Sequence, residues 1–246
     1  MSGHSKWSTI KRKKQAQDQK RGKVFTRLIR EITVAAKEGG GDPESNPRLR
    51  TAIDNAQTQN MPKENIKRAI QRGTGELPGV VFEEHLYEGY GPGGVAILVE
   101  TVTDNNNRTT AEVRHVFEKR GGHLAKSGAA SYSFDRRGLI ILDGSTDEDL
   151  LMEVALESGA LDIVEESDAF EVLTEVGDYH AVNEALTRTG FKIIESSVAY
   201  VPQNLISLEP DDGEKVVGIL AGLEDLDDVQ NVYTNFDIPE DADIEA

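Results

Sequence analysis

The sequence predicts an α+β protein: an N-terminal three-helix domain followed by two ferredoxin-like α+β domains, with the third domain inserted in the second. Two observations predict this class. Apolar residues recur at helical spacing between Val24 and Ile70, and beyond Gly75 shorter apolar runs of strand length alternate with amphipathic helices. At 246 residues the chain has room for three small domains.

Three short amphipathic helices are predicted in the N-terminal domain. The first carries an apolar stripe from Val24 to Ala36 and ends at Gly39-Gly40-Gly41. Pro47 starts the second helix, and Pro62 starts the third, which stops at Gly73. These positions fit the preference for proline in the first turn of a helix and for glycine just after the last.

The remaining chain is predicted to form two units of four strands and two helices. The inserted unit has the order strand-helix-strand-strand-helix-strand, which is that of the ferredoxin-like fold. The other unit is interrupted by the inserted one. Its first strand-helix-strand lies before the insertion and its second lies after it, and together they give the same order. Strands are predicted at 94–102, 131–134, 139–142, 162–164, 170–174, 192–196, 205–208 and 229–235, and helices at 108–120, 147–158, 179–189 and 213–222. The predicted domains are 1–76, 77–134 with 200–240, and 135–199, followed by an acidic tail at 241–246.

Charge is divided unequally along the chain. The sequence carries 27 lysines and arginines against 44 acids. Residues 1–75 hold 17 of these bases and 7 acids, whereas residues 76–246 hold 10 bases and 37 acids. Because phosphate binding depends on local positive density, this division predicts nucleic-acid contacts at the N-terminal end despite the net charge of −17.

The candidate nucleic-acid-binding residues are bases of the N-terminal tail and of the first and third helices, with one loop lysine and one aromatic ring. Residues 1–17 are expected to adopt a fixed structure only against a partner. Trp7 offers a ring that can stack on an unpaired base. Each group also has an interpretation without nucleic acid. The N-terminal bases could form a solvated basic tail, those of the third helix an ordinary solvated helix face, and the loop lysine could lie in a plain connection between a helix and a strand. The candidates are His4, Lys6, Trp7, Lys11, Arg12, Lys13, Lys14, Lys20, Arg21, Lys23, Arg27, Arg30, Lys63, Lys67, Arg68 and Lys126.

Two glycine-rich segments resemble ligand-binding loops without meeting their requirements. Gly89–Gly94 contains the spacing of a dinucleotide fingerprint, but a strand is predicted after it instead of a helix, and Pro92 removes a backbone donor. We therefore interpret it as a turn. Gly121–Gly128 lacks the glycine that a phosphate loop requires before Lys126-Ser127, although Lys126, Ser127 and exposed amides of this loop remain candidates for contact with a phosphate backbone.

Composition argues against several other classes of protein. The absence of cysteine excludes disulfides and thiolate chemistry, and the five histidines show no metal-ligand spacing. We therefore predict no catalytic residue, cofactor, metal site or small-molecule substrate. Because neither a signal peptide nor an apolar run of membrane-spanning length is recognisable, we expect a cytoplasmic protein without membrane contact. We also expect the protein to be a monomer.

Several motifs resemble those of the YebC/PmpR family, and the resemblance covers essentially the whole chain. It begins with Gly3-His4-Ser5-Lys6-Trp7-Ser8-Thr9-Ile10-Lys11-Arg12-Lys13-Lys14 and continues with Asn46-Pro47-Arg48-Leu49, with Tyr87-Glu88-Gly89-Tyr90-Gly91-Pro92-Gly93-Gly94 and with residues 103–109. The resemblance implies a three-domain α+β protein with a helical N-terminal domain. It also implies a regulator of gene expression, since members are described as DNA-binding transcriptional regulators and others act in translation at the ribosome.

The sequence thus favours a non-enzymatic nucleic-acid-binding regulator, with DNA-binding transcriptional regulation as the first interpretation. The alternative is a translation factor that binds ribosomal RNA and relieves stalling. Charge does not separate the two, because DNA and RNA offer the same phosphates. A third hypothesis is a protein-interaction module in which the acidic domains bind proteins and the basic tail is incidental.

Overall fold

The computed structural model describes residues 21–166 and 169–237. The basic tail through Lys20 and the acidic tail at 241–246 lie outside the described residues. Within the described part, the α+β class is confirmed: helices occupy the N-terminal region and two four-stranded antiparallel sheets follow.

The three predicted N-terminal helices are confirmed. Helix α1 spans Arg21–Gly39, α2 spans Pro47–Thr58, and α3 spans Lys63–Gly73. Their buried residues, among them Ile32, Leu49 and Ile66, form one hydrophobic core.

Asn46 joins the end of α1 to the start of α2. Its side-chain oxygen accepts a hydrogen bond from the amide of Leu49 at 3.1 Å, which caps α2. Its amide nitrogen donates to the carbonyls of Ala35 and Gly40 at 2.8 and 2.9 Å, near the carboxyl end of α1. One buried side chain therefore satisfies main-chain groups at both helix ends.

Sheet A contains four strands in the order β3-β1-β2-β8. They are β1 (Glu83–Tyr90), β2 (Ala96–Thr103), β3 (His123–Leu124) and β8 (Val229–Thr234). Helices α4 (Asn106–Lys119) and α7 (Pro210–Glu224) pack on one face of this sheet.

Sheet B contains four strands in the order β5-β6-β4-β7, the arrangement of a ferredoxin-like sheet. They are β4 (Phe134–Asp143), β5 (Ala160–Glu166), β6 (Ala169–Thr174) and β7 (Ile193–Pro202), with helices α5 (Glu148–Glu157) and α6 (Tyr179–Thr189). All of these elements lie between β3 and β8 in the chain, so the chain leaves sheet A, builds sheet B and returns.

The two sheets pack face to face. Along β4, Ile140 faces the core under α5 and α6, whereas its neighbours Leu139 and Ile141 face the core between the sheets. Leu98 of β2 and Tyr233 of β8 contribute to the same intersheet core from the other side. Because successive side chains of a strand point to opposite faces of its sheet, each sheet packs against helices on one face and against the other sheet on the second. The result is four layers: helices, sheet A, sheet B and helices.

Two predicted strands are wrong. Residues 131–133 form a short 3-10 turn, because the amides of Ala130 and Ser131 donate to the buried carboxylate of Glu88. Phe134 then begins β4 of the other sheet. Residues 205–208 do not form a strand; Ile206 makes an isolated bridge to Phe236. Strand β1, which was not predicted, pairs with β2.

The glycine-rich turn is confirmed. Strand β1, which was not predicted, precedes the turn, and β2 follows it, as predicted, instead of a helix. The amide of Gly91 donates to the carbonyl of Val95 at 2.8 Å. Gly93 adopts φ +69°, and a Cβ there would overlap the Leu208 side chain. The turn joins two strands of sheet A.

Candidate nucleic-acid interface

The predicted contact residues that the structure describes lie in three places: α1, α3 and the loop after β3. His4, Lys6, Trp7, Lys11, Arg12, Lys13, Lys14 and Lys20 lie outside the described residues, and Arg21 is the first residue of α1. Lys23, Arg27 and Arg30 lie along α1. Lys63, Lys67 and Arg68 lie on α3, and Lys126 lies in the loop after β3.

The bases of α1 face the carboxyl end of α7. Lys23 Nζ donates to the carbonyl of Asp225 at 2.9 Å, and Arg27 Nη1 lies 3.3 Å from a carboxylate oxygen of Glu224. Arg27 also donates to the carbonyl of Glu224. Cations at this position compensate the last carbonyls of the helix and its dipole. Lys23 and Arg27 therefore hold the N-terminal helices against the acidic part of the chain.

Asp228 is the most buried carboxylate of this contact, with a side chain 3% exposed. Its Oδ1 lies 2.8 Å from Arg30 Nη1, and its Oδ2 accepts from Arg108 Nη2 at 2.6 Å. The hydroxyls of Thr103 and Thr109 donate to the same Oδ2 at 2.9 and 2.6 Å. One carboxylate thus joins α1, the end of β2 and the start of α4.

The pKa of the Asp228 carboxyl lies below its ordinary value. Burial alone would raise this pKa, but the hydrogen bonds from Arg108, Thr109 and Thr103 and the charge of Arg30 outweigh burial. Sequence reasoning missed this site, although the motif at 103–109 contains three of its donors.

Two further arginines of α2 join the helices to the rest of the chain. Arg48 contacts three carboxylates: Nε lies 2.9 Å from Glu31, Nη1 lies 2.8 Å from Glu38, and a third contact reaches Glu84 of β1. Arg50 Nη1 lies 2.8 Å from His180 Nε2 of α6. Much of the positive charge of the N-terminal domain is therefore used in contacts within the protein.

Helix α3 is different, because its bases remain exposed. Lys63 and Lys67 are exposed and form no ion pair with any residue that the structure describes. Arg68 lies 3.3 Å from Glu64, with both side chains more than half exposed. Such an exposed pair contributes little energy, which leaves the guanidinium available to another anion.

The connection between α2 and α3 is as short as that of a helix-turn-helix motif. Four residues, 59–62, join the two helices, and Asn60 adopts the left-handed conformation at φ +57°. This short turn comes directly before the exposed bases of α3.

The loop that carries Lys126 is built around Glu88. The amides of Gly128, Ala130 and Ser131 donate to the Glu88 carboxylate at 2.6, 2.7 and 2.8 Å. Burial would raise the pKa of this carboxyl, but these three amides lower it below its ordinary value. The Gly128 amide, which belongs to the loop that the sequence offered to a phosphate, therefore already binds an anion of the chain, whereas Lys126 is exposed.

No group of three or more histidines, aspartates or glutamates in the described ranges could hold a metal ion. Among the helices of the same ranges, none is long and apolar enough to cross a membrane.

Comparison with known proteins gives concordant matches over both parts of the chain. Residues 5–76 match the family model described as the TACO1/YebC protein N-terminal domain, and residues 82–236 match that of the TACO1/YebC second and third domain. A protein of Desulfatibacillum aliphaticivorans named "Probable transcriptional regulatory protein" is 57% identical over 243 residues, 98% of each chain. A protein of Geobacter sulfurreducens with the same description is 55% identical over 238 residues, 97% of this chain and 96% of its own. The crystal structure of a conserved hypothetical protein from Aquifex aeolicus superimposes with a TM-score of 0.85 at 48% identity, covering 91% of this chain and 93% of that one.

Proposed function

We propose that this chain, which belongs to the TACO1/YebC family, is a non-enzymatic regulator of gene expression that binds nucleic acid through its basic tail and helix α3. The observation that carries the proposal is that some N-terminal bases are paired with acids of the chain whereas others are exposed. Lys23, Arg27 and Arg30 face carboxylates around the end of α7, whereas Lys63 and Lys67 are exposed without an ion pair in the described part.

The tail adds most of the available positive charge. Residues 1–20 carry six lysines and arginines and one acid, Asp18. Such a cluster gains affinity for a polyanion by releasing counterions, whereas the acidic residues beyond Gly75 repel one. The main contact is therefore expected at the N-terminal end of a monomeric protein. Relatives that carry the name "Probable transcriptional regulatory protein" support a regulatory role for this chain.

Duplex DNA is the first candidate ligand, because the four-residue connection before α3 resembles that of helix-turn-helix proteins. RNA of the ribosome is the second candidate. The exposed face of α3 carries Lys63, Lys67 and Arg68 in place of a clear set of base-reading side chains, and lysine contacts to phosphates give no sequence specificity. Backbone and shape recognition of this kind suits structured RNA.

The test compares two full-length variants of equal net charge. In the tail variant, Lys11, Arg12, Lys13 and Lys14 are replaced by alanine. The control variant replaces four exposed or partly exposed bases that pair with acids elsewhere: Arg137, Arg188, Lys192 and Lys215. Fluorescence anisotropy measures the affinity of each for a 20-bp duplex and for a 20-nucleotide RNA hairpin.

We expect the tail variant to lose at least about tenfold in affinity while the control binds as the wild type does, because counterion release requires local charge. Equal affinities of the two variants would overturn the assignment to the tail. If the wild-type chain binds neither ligand, nucleic-acid binding itself is refuted. Tighter binding of the duplex supports the first candidate, and tighter binding of the hairpin supports the second.

A further inference from the structure

The acidic part of the chain contains a small group of bases that is not neutralised. Residues 76–246 hold ten lysines and arginines. Five of them pair with carboxylates of the chain: Arg108, Arg137, Arg188, Lys192 and Lys215. By contrast, Arg114, Lys119 and Lys126 are exposed and form no ion pair with any described residue. All three lie within thirteen positions of each other, on α4 and the loop after β3.

Two of these bases, Arg114 and Lys126, line one groove. The groove has a volume of about 420 Å³ and lies between β1, α4 and residues 123–127. Thr110, Arg114 and Glu118 line it at successive turns of α4, and Tyr87 lines it from β1. Glu118 is exposed and is the acid on the same wall as Arg114.

The walls of the groove are held in place by hydrogen bonds outside it. The Tyr87 hydroxyl donates to Asn106 Oδ1 at 2.6 Å, which fixes its ring against α4. The loop of Lys126 is anchored by the three amides that bind Glu88, so the Glu88 charge is already compensated. The main chain that carries the two bases is therefore already held in place, which lowers the cost of ordering this loop when a ligand binds.

The edge of β1 is open along this groove. Strand β3 has two residues and pairs with β1 at Gly89 and Tyr90 alone. The amide of Ala125 then donates to the carbonyl of Glu88 at 2.8 Å. Because main-chain groups alternate along a strand, the peptide groups of Leu86 face the same edge, where β3 does not continue.

We propose that this groove binds a phosphate-containing segment of single-stranded nucleic acid, a contact separate from that of the tail and α3. The proposal rests on the proposed function. Arg114 and Lys126 neutralise the phosphates, the Tyr87 ring contacts a base, and the amide of Leu86 at the edge of β1 donates a hydrogen bond. Two cations that form no ion pair with a described residue lie here beside an aromatic ring, an arrangement that fits a polyanion with planar bases.

The test uses the full-length double variant R114A/K126A. Its matched control is R188A/K192A, which removes the same charge from exposed ion pairs on sheet B and its helix. The probe is an eight-nucleotide oligouridylate, measured by anisotropy across a salt series, with hexaglutamate as a competing acidic peptide. Amide resonances of Lys126 and Ser127 report occupation of the groove directly.

We expect R114A/K126A to lose about tenfold in affinity and about 1.4 units of the logarithmic salt slope, since each phosphate contact on a single strand contributes about 0.7. The control should keep both values. An unchanged slope in R114A/K126A overturns the proposal, and so does a shift of the loop resonances by hexaglutamate but not by oligouridylate. If the groove variant is unchanged while the tail variant loses affinity, the groove fails and the proposed function stands.

Discussion

The contact between the N-terminal helices and sheet A depends on Asp228, and its removal should be costly. In the D228A variant, Arg30 and Arg108 lose their shared carboxylate, and the hydroxyls of Thr103 and Thr109 lose an acceptor. Breaking a buried ion pair costs about 3–5 kcal/mol. Because the Arg108 side chain is 42% exposed and can be rehydrated, the lower end applies. We expect a loss of about 3 kcal/mol in the free energy of unfolding.

Thermal and urea unfolding followed by circular dichroism measure this loss. For a chain of this length, about 3 kcal/mol corresponds to a fall of about 6–12 °C in the midpoint. The matched control is D225A, which removes an acid of the same contact whose side chain is 85% exposed. Its effect should stay below about 1 kcal/mol. Equal effects of D228A and D225A would refute the argument that burial and shared hydrogen bonds make Asp228 the centre of the contact.

Two further predictions concern loops of sheet A. Replacing Glu88 by alanine leaves three amides without their acceptor and should cost about 3 kcal/mol, with faster hydrogen exchange at Gly128 as the local measure. Because the pKa of Glu88 is lower in the folded than in the unfolded chain, the contribution of its charge to stability is present above about pH 4 and is lost as the pH falls through the lowered value. The difference in stability between wild type and variant should therefore shrink in acid, and a constant difference down to low pH would contradict this. Replacing Gly93 by alanine should lower the free energy of unfolding by about 1–3 kcal/mol, because of the positive φ and the overlap of the new Cβ with Leu208. The control Gly22→Ala in helix α1 should be neutral or stabilising. If G93A is as stable as the wild type in urea unfolding, the close approach of Gly93 to Leu208 does not constrain this position.

Local patterns were sufficient to predict most of the fold. Proline and glycine positions located the three N-terminal helices, and helix 179–189 was predicted at its observed bounds. Strand β1 was missed because Glu83-Glu84 and Glu88-Gly89 are residues that strands usually disfavour. Glu88 is tolerated there because amides about 40 positions later surround it. Such compensation depends on tertiary structure and leaves no local pattern.

The sequence shows which residues carry the positive charge, but it does not show which of them are available to a ligand. Clustered bases identified the N-terminal end correctly as the positively charged region. Their partners could not be inferred, because Arg27 and Glu224 are separated by 197 positions in the chain. The same holds for Arg30 and Asp228, which meet only when α1 packs against the segment that follows α7. Charge counts therefore overestimate the bases of α1 that are available to a ligand.

The salt dependence of duplex binding tests the central claim most directly, namely that the tail and α3 provide the phosphate contacts. Each contact contributes about −0.9 to the slope of the logarithm of the binding constant against the logarithm of salt concentration. Replacing Lys11, Arg12, Lys13 and Lys14 by alanine should therefore make the slope shallower by about 3.6, while the charge-matched control keeps the wild-type slope. A tail variant with the wild-type slope would contradict the account.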